Sequence, residues 1–240
     1  MNEKAIFLKD KINKGDICVG AVTSAYISRD ELKRIVETGE YDYLSIDSQH
    51  APFNEEKIVE FCNMASDLNT HVQFRIKHTK HSYLIGNMLD LGPQGIEVPQ
   101  VELVETAEES IKNFYYPKVG LRSWGGTYRY GLDGNSDRLK YAEWWNQYGV
   151  LWLQIESIHA IEKAKAFAMP GVDCLSFGPA DLTFNLESNP SYRLQSVDAC
   201  VQEVVDKLAD TGTKVCFRNY TKETRQKYID MGVTVFLERP

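Results

Sequence analysis

Four short segments of this 240-residue chain carry side chains that could do chemistry together. Asp47-Ser48-Gln49-His50-Ala51-Pro52 offers an imidazole that could move protons. Arg75 offers a fixed fork of donors suited to a keto-acid oxygen. Gln154-Ile155-Glu156 puts a carboxylate at the end of an apolar run, where burial without a cation would be costly. Gly178-Pro179-Ala180-Asp181 adds a second carboxylate and a turn whose backbone amides could hold a substrate carboxylate. Two hard carboxylates completed by water suit Mg²⁺ or Mn²⁺, with Co²⁺ as a further candidate. Glu156 and Asp181 are therefore the candidate metal ligands. Taken singly, each residue has a plain structural alternative: a histidine after a strand is commonly structural, and Asp181 could cap a helix. Their convergence on one rim is the signal.

That convergence depends on the elements between them. Short β-rich apolar runs read as strands at Ile17–Val22, Tyr43–Ile46, Val72–Ile76, Gly95–Val98, Val150–Ile155, Cys174–Phe177, Lys214–Phe217 and Thr234–Leu237. Helical patterns alternate with them at Arg29–Glu37, Glu55–Asp67, Ser82–Asp90, Val104–Phe114, Ala160–Ala168, Val197–Ala209 and Lys222–Met231. Such alternation implies a parallel sheet with helical crossovers. Eight strands in this length favour one closed (β/α)₈ TIM barrel over residues 1–240. In that fold catalytic groups sit at the C-terminal ends of the strands, and all four segments do. Asn2–Asn13 reads as an extra helix plugging the barrel bottom. The chain stops at Pro240 just after the last strand, so no eighth crossover helix is expected. The irregular stretch Tyr115–Asn135, with Trp124, Tyr128 and Tyr130, is long enough to suggest a role at the active face, although packing explains its aromatics as well.

Composition narrows the partners. The net charge of −7 speaks against nucleic acid or an anionic membrane surface. The five cysteines are scattered, odd in number and without a CxxC pair, so neither zinc nor a disulfide framework is signalled. No signal-peptide or membrane-length apolar segment is present, and a cytoplasmic protein is expected.

The segments Ile46–Pro52, Leu153–Ser157 and Gly171–Leu182 together resemble the signature of the HpcH/HpaI aldolase family, and a looser similarity runs from about Gly15 to Leu237. The resemblance implies a barrel of the phosphoenolpyruvate/pyruvate-binding type, a class II aldolase acting on a small keto acid and an aldehyde, and a homo-oligomer. It implies Glu156 and Asp181 as metal ligands, and His50 as a base working through a metal-bound water. Asp90 would orient that histidine, and Arg75 would stabilise the enolate. Gly178, Pro179 and Ala180 would bind the pyruvate carboxylate, with Gln154 and Arg122 also at substrate-binding positions. The chemistry agrees: deprotonation beside a ketone leaves charge on the keto oxygen, which a divalent cation and Arg75 would stabilise. No strand ends in a plausibly buried lysine, so a Schiff-base mechanism is disfavoured.

Three departures from the family pattern bear on function. Gln49 stands where relatives have an acidic residue, and Arg218 where they have a small apolar one. An inward Arg218 would favour a more anionic substrate such as oxaloacetate, opening a decarboxylase as the alternative reaction. With the final helix also absent, a non-catalytic binding subunit is the remaining alternative.

Overall fold

The structure, a computed structural model, describes residues 7–132 and 137–240. Eight parallel strands close into a barrel in chain order: β1 (Cys18–Val22), β2 (Tyr43–Asp47), β3 (His71–Arg75), β4 (Gly95–Val98), β5 (Val150–Ile155), β6 (Cys174–Phe177), β7 (Lys214–Tyr220) and β8 (Val235–Glu238). The helices are α1 (Leu8–Lys14), α2 (Arg29–Glu37), α3 (Glu55–Asp67), α4 (Ile85–Leu89), α5 (Val104–Phe114), α6 (Arg138–Tyr148), α7 (Ile158–Phe167), α8 (Pro179–Glu187), α9 (Val197–Leu208) and α10 (Arg225–Asp230). The expected α/β barrel and its additional N-terminal helix are both present; the expected Asn2–Ile6 portion of that helix lies outside the described residues. No described helix is long and apolar enough to cross a membrane.

Local chemistry explains several boundaries. Ser28 and Glu31 form a reciprocal capping box at the start of α2. Asn54, Ser157 and Ser196 each accept a first-turn amide at the starts of α3, α7 and α9. Two helices were not anticipated. Asp137 caps α6, accepting from Leu139 and Lys140, while α8 starts with Pro179, whose fixed φ suits a first helical turn. The single helix expected over Ser82–Asp90 is instead a 3₁₀ segment, Thr79–Leu84, followed by α4.

Alternate side chains on each strand face opposite sides of the sheet. One set, including Leu44, Ile46, Val72, Phe74, Leu151, Leu153 and Phe177, packs under the helices in the main core. The other set fills the barrel. At the lower end Tyr43, Trp152, Cys18, Cys174 and Cys216 pack with Leu8 and Ile12 of α1, which closes the bottom. Gly20 is required there, since a Cβ would overlap the Tyr43 ring. Lys9 fastens the plug, reaching Gly149 O (2.7 Å), the Tyr115 hydroxyl (2.9 Å) and Asp173 (3.1 Å).

Along each strand the inward stripe turns polar towards the top: Tyr43-Ser45-Asp47, His71-Gln73-Arg75, Trp152-Gln154-Glu156 and Cys216-Arg218. The floor is apolar and the rim is charged. His71 begins one such stripe and is only 8% exposed. Burial lowers its pKa to about 4, so the folded protein holds it neutral. Its folded pKa lies below the unfolded value of roughly 6.5, so its contribution is present above pH 6.5 and lost as pH falls towards 4. Wild-type stability, measured by urea unfolding, should drop between pH 7 and 4.5 by about 2–3 kcal/mol more than that of His71→Gln. Equal drops in the two proteins would contradict this assignment.

Candidate active site

The rim is assembled around a two-pronged ion pair. Arg75, at the end of β3, donates from Nε to Asp47 Oδ1 (2.8 Å) and from Nη2 to Asp47 Oδ2 (2.6 Å), while Nη1 reaches Gln154 Oε1 (3.2 Å). The same carboxylate accepts the amides of Gln49 (2.8 Å) and His50 (3.3 Å), so it also shapes the turn carrying the histidine. Burial opposes charge on Asp47, but the Arg75 guanidinium and these amides hold its carboxyl below the usual range. Asp47 was not among the residues expected at the site. Its place as the last inward position of β2, one strand from Arg75, was the available signal.

A second pair lies deeper. Glu97 of β4 is fully buried and accepts from both Ser176 and Arg218. β7 runs on through Arg218 to Tyr220 instead of ending at Phe217, and so carries this arginine inward. Its inward orientation settles the question the sequence left open, but Glu97 engages its charge. The support it would have lent to a more anionic substrate falls away. Glu97 was also missed, although a lone carboxylate in the apolar run Gly95–Val98 calls for an internal cation.

Glu156 is left without such a partner. It is buried just beyond β5, and its Oε1 has no hydrogen bond. Burial, reinforced by the neighbouring charge of Asp181, pushes its carboxyl up to about 8 despite the opposing fields of Arg75 and Arg218. Asp181 lies in the first turn of α8 and is exposed. Among the described residues no group of three or more His, Cys, Asp or Glu is arranged to hold a metal, so these two would be the only carboxylates on a cation here. Gly178 makes room for them: a Cβ there would overlap Glu156 Oε2 and come within 2.7 Å of Gln154 Nε2.

Not every amide of the expected carboxylate cradle is free. The Gly178 amide already donates to Ile155 O (3.2 Å), and Pro179 has no N–H. The amides of Ala180 and Asp181 have no backbone acceptor, so they are the free donors of this turn.

Two expected site residues are elsewhere. Asp90 ends α4, on the turn that leads back to the start of β4, and accepts from Arg122 Nη2 (2.8 Å). It makes no hydrogen bond to His50, whose ring is exposed at the opposite end of the strands. Burial raises the Asp90 carboxyl, with Arg122 opposing. Arg122 lies between the rings of Tyr116 (4.8 Å) and Trp145 (4.7 Å). The physical reason is the direction of α5, which carries the chain away from the rim before Tyr115. The loop that follows packs on α6, with Arg129 over Trp124 (3.7 Å) and Tyr130 stacked on Trp144 (6.3 Å) and Tyr148 (5.5 Å). Among its described residues none roofs the rim; residues 133–136 lie outside the described chain.

The family model for HpcH/HpaI aldolase/citrate lyase matches residues 26–227. The hydroxypyruvate/pyruvate aldolase of Delftia acidovorans is 28% identical over 82% of this chain and 73% of its own length. The 2-keto-3-deoxy-L-rhamnonate aldolase of Escherichia coli is 25% identical, covering 93% of this chain and 83% of that protein. The crystal structure of an HpcH/HpaI aldolase from Desulfitobacterium hafniense superimposes with a TM-score of 0.84, covering 97% of this chain and 90% of that one at 24% identity.

Gly178→Ala tests the packing of this rim directly. Overfilling the space beside Glu156 should cost about 1–3 kcal/mol of stability, a fall in Tm of about 2–12 °C by calorimetry. A Tm equal to wild type would mean that the glycine is not needed for space.

Proposed function

This chain belongs to the HpcH/HpaI aldolase/citrate lyase family, and we propose that it is a divalent-metal-dependent aldolase joining or splitting a 2-oxo acid and an aldehyde. The observation that carries the metal requirement is the buried Glu156 carboxylate, which has an orphaned oxygen and another carboxylate beside it. A buried anion with no cation is expensive, and a divalent ion removes that cost. Oxygen donors of this kind suit Mg²⁺ or Mn²⁺, with water and substrate oxygens completing the set. Glu156 and Asp181 would hold the ion, which when bound supplies electrophilic stabilisation to the keto oxygen of the donor.

The chain's own residues would do the rest. Arg75 adds a fixed positive charge near that oxygen, and its orientation is set by Asp47 and Gln154 rather than chosen during reaction. The free amides of Ala180 and Asp181, at the positive end of α8, are suited to the donor's carboxylate. Gln154 has one role as a brace for Arg75. His50, on the turn shaped by Asp47, would take a proton from the donor carbon and return it to the aldehyde oxygen.

In D₂O with Mn²⁺, the methyl protons of pyruvate should exchange on addition of protein, as followed by proton NMR. Exchange should stop with EDTA and fall about 10²- to 10⁴-fold in His50→Ala. Calorimetry should show Mn²⁺ binding in wild type and its loss in Glu156→Gln. Exchange that persists with EDTA would refute the metal-dependent reading.

A further inference from the structure

The Arg218 side chain crosses the barrel. It leaves β7 and reaches Glu97 on β4, three strands away, so its guanidinium lies across the interior beneath the rim. Ser176 of β6 donates to the other Glu97 oxygen, and the fields of Glu97 and Arg218 both act on Glu156. Arg218 thus forms a floor under the mouth in which the 2-oxo acid would sit.

Neutralising Glu97 takes only one nitrogen of this group. Nη2 does it, whereas Nε is buried without a partner, and Nη1, which retains surface, donates to nothing among the described residues. A lysine could neutralise Glu97 as well; what arginine adds is further donors fixed in the same plane. A donor left without an acceptor in the interior is destabilising, so a ligand that supplies one is favoured. Because Glu97 already holds the charge, the floor offers a ligand a hydrogen bond rather than an ion pair.

The seating proposed for the 2-oxo acid turns its third carbon towards this floor. C2 is planar and carries three groups. The carboxylate goes to the Ala180 and Asp181 amides after β6, and the keto oxygen to the cation and Arg75 of β3. C3 takes the sector that remains, from β7 through β8 and β1 to the His50 turn after β2. The inward residues of β8 and β1 there, Leu237 and Val22, are apolar. Arg218 is the polar group bordering C3 on the side away from His50.

We propose that Arg218 selects the donor, favouring a 2-oxo acid with a hydroxyl on C3 over pyruvate, that hydroxyl accepting from Nη1. This rests on the aldolase reading above. The small apolar residue of the family pattern has no donor to give, so the preference belongs to the Glu97–Arg218 pair of this chain.

The test is the ratio of kcat/KM for hydroxypyruvate to that for pyruvate, with glycolaldehyde and Mn²⁺, compared between wild type and variants so that the intrinsic reactivity of the two donors cancels. Arg218→Lys keeps a charge for Glu97 and should lower the ratio about tenfold. The paired change Glu97→Leu with Arg218→Leu removes both charges together and should lower it as far. Calorimetry with Mg²⁺ gives a readout without turnover. Glycerate, which has the C3 hydroxyl, should bind the wild type about tenfold more tightly than lactate, and Arg218→Lys should bind the two alike. A donor ratio unchanged in Arg218→Lys, or equal binding of glycerate and lactate to the wild type, overturns the assignment while pyruvate exchange leaves the aldolase reading standing. Absence of C3 proton exchange with both donors would instead remove the reading on which the assignment rests.

Discussion

Closing eight strands into a barrel creates one interior, and a charge placed there must find its counter-charge there too. Two of the three inward carboxylates at the upper end do so: Asp47 with Arg75, and Glu97 with Arg218 and Ser176. Losing one member of such a pair typically costs about 3–5 kcal/mol, because the other is stranded. Both arginines are thus tied by structural needs before any substrate arrives. The third carboxylate, Glu156, is held in the same layer with an oxygen unsatisfied. The imbalance is local and is built by packing, since Gly178 keeps α8 close enough for Asp181 to add to it.

The fold was legible because the period-two pattern of strands and the amphipathic stretches between them are read residue by residue. The strand positions agree with the sequence to within a residue at most ends; β7 runs three residues further than expected, to Tyr220, and Arg218 on it meets Glu97. His50, Arg75, Gln154, Glu156 and Asp181 were legible as strand-end residues, and their roles remain proposals. What could not be read was pairing across the barrel. Asp47 and Arg75 are 28 residues apart, and Arg218 and Glu97 are 121 apart. No local spacing encodes such distances. The positions of Asp90 and Arg122 were not legible for a related reason: a motif gives neighbours in sequence, whereas the direction of α4 and α5 decides which end of the barrel they reach.

The Desulfitobacterium hafniense aldolase, 24% identical to this chain, retains the same architecture. That is consistent with the division of labour in a barrel, where layers of buried side chains hold the frame and loops at the strand ends face the ligand. Here the inward frame is itself partly ionic. A change from Glu97 or Arg218 to an apolar residue is therefore one that this barrel would tolerate only in pairs.

The plug at the other end has a consequence in time rather than in space. Lys9 is bonded to groups 140 and 164 residues further along the chain. Helix α1 leaves the ribosome among the first of the described elements, yet it can only dock after β5 and β6 have taken their places. Until then the barrel floor of Tyr43, Trp152 and the three thiols is open from below. Contacts of such long sequence separation slow folding, so sealing of the floor belongs to the last events on the route to the native chain, and a nascent barrel would carry an exposed apolar mouth for most of its synthesis.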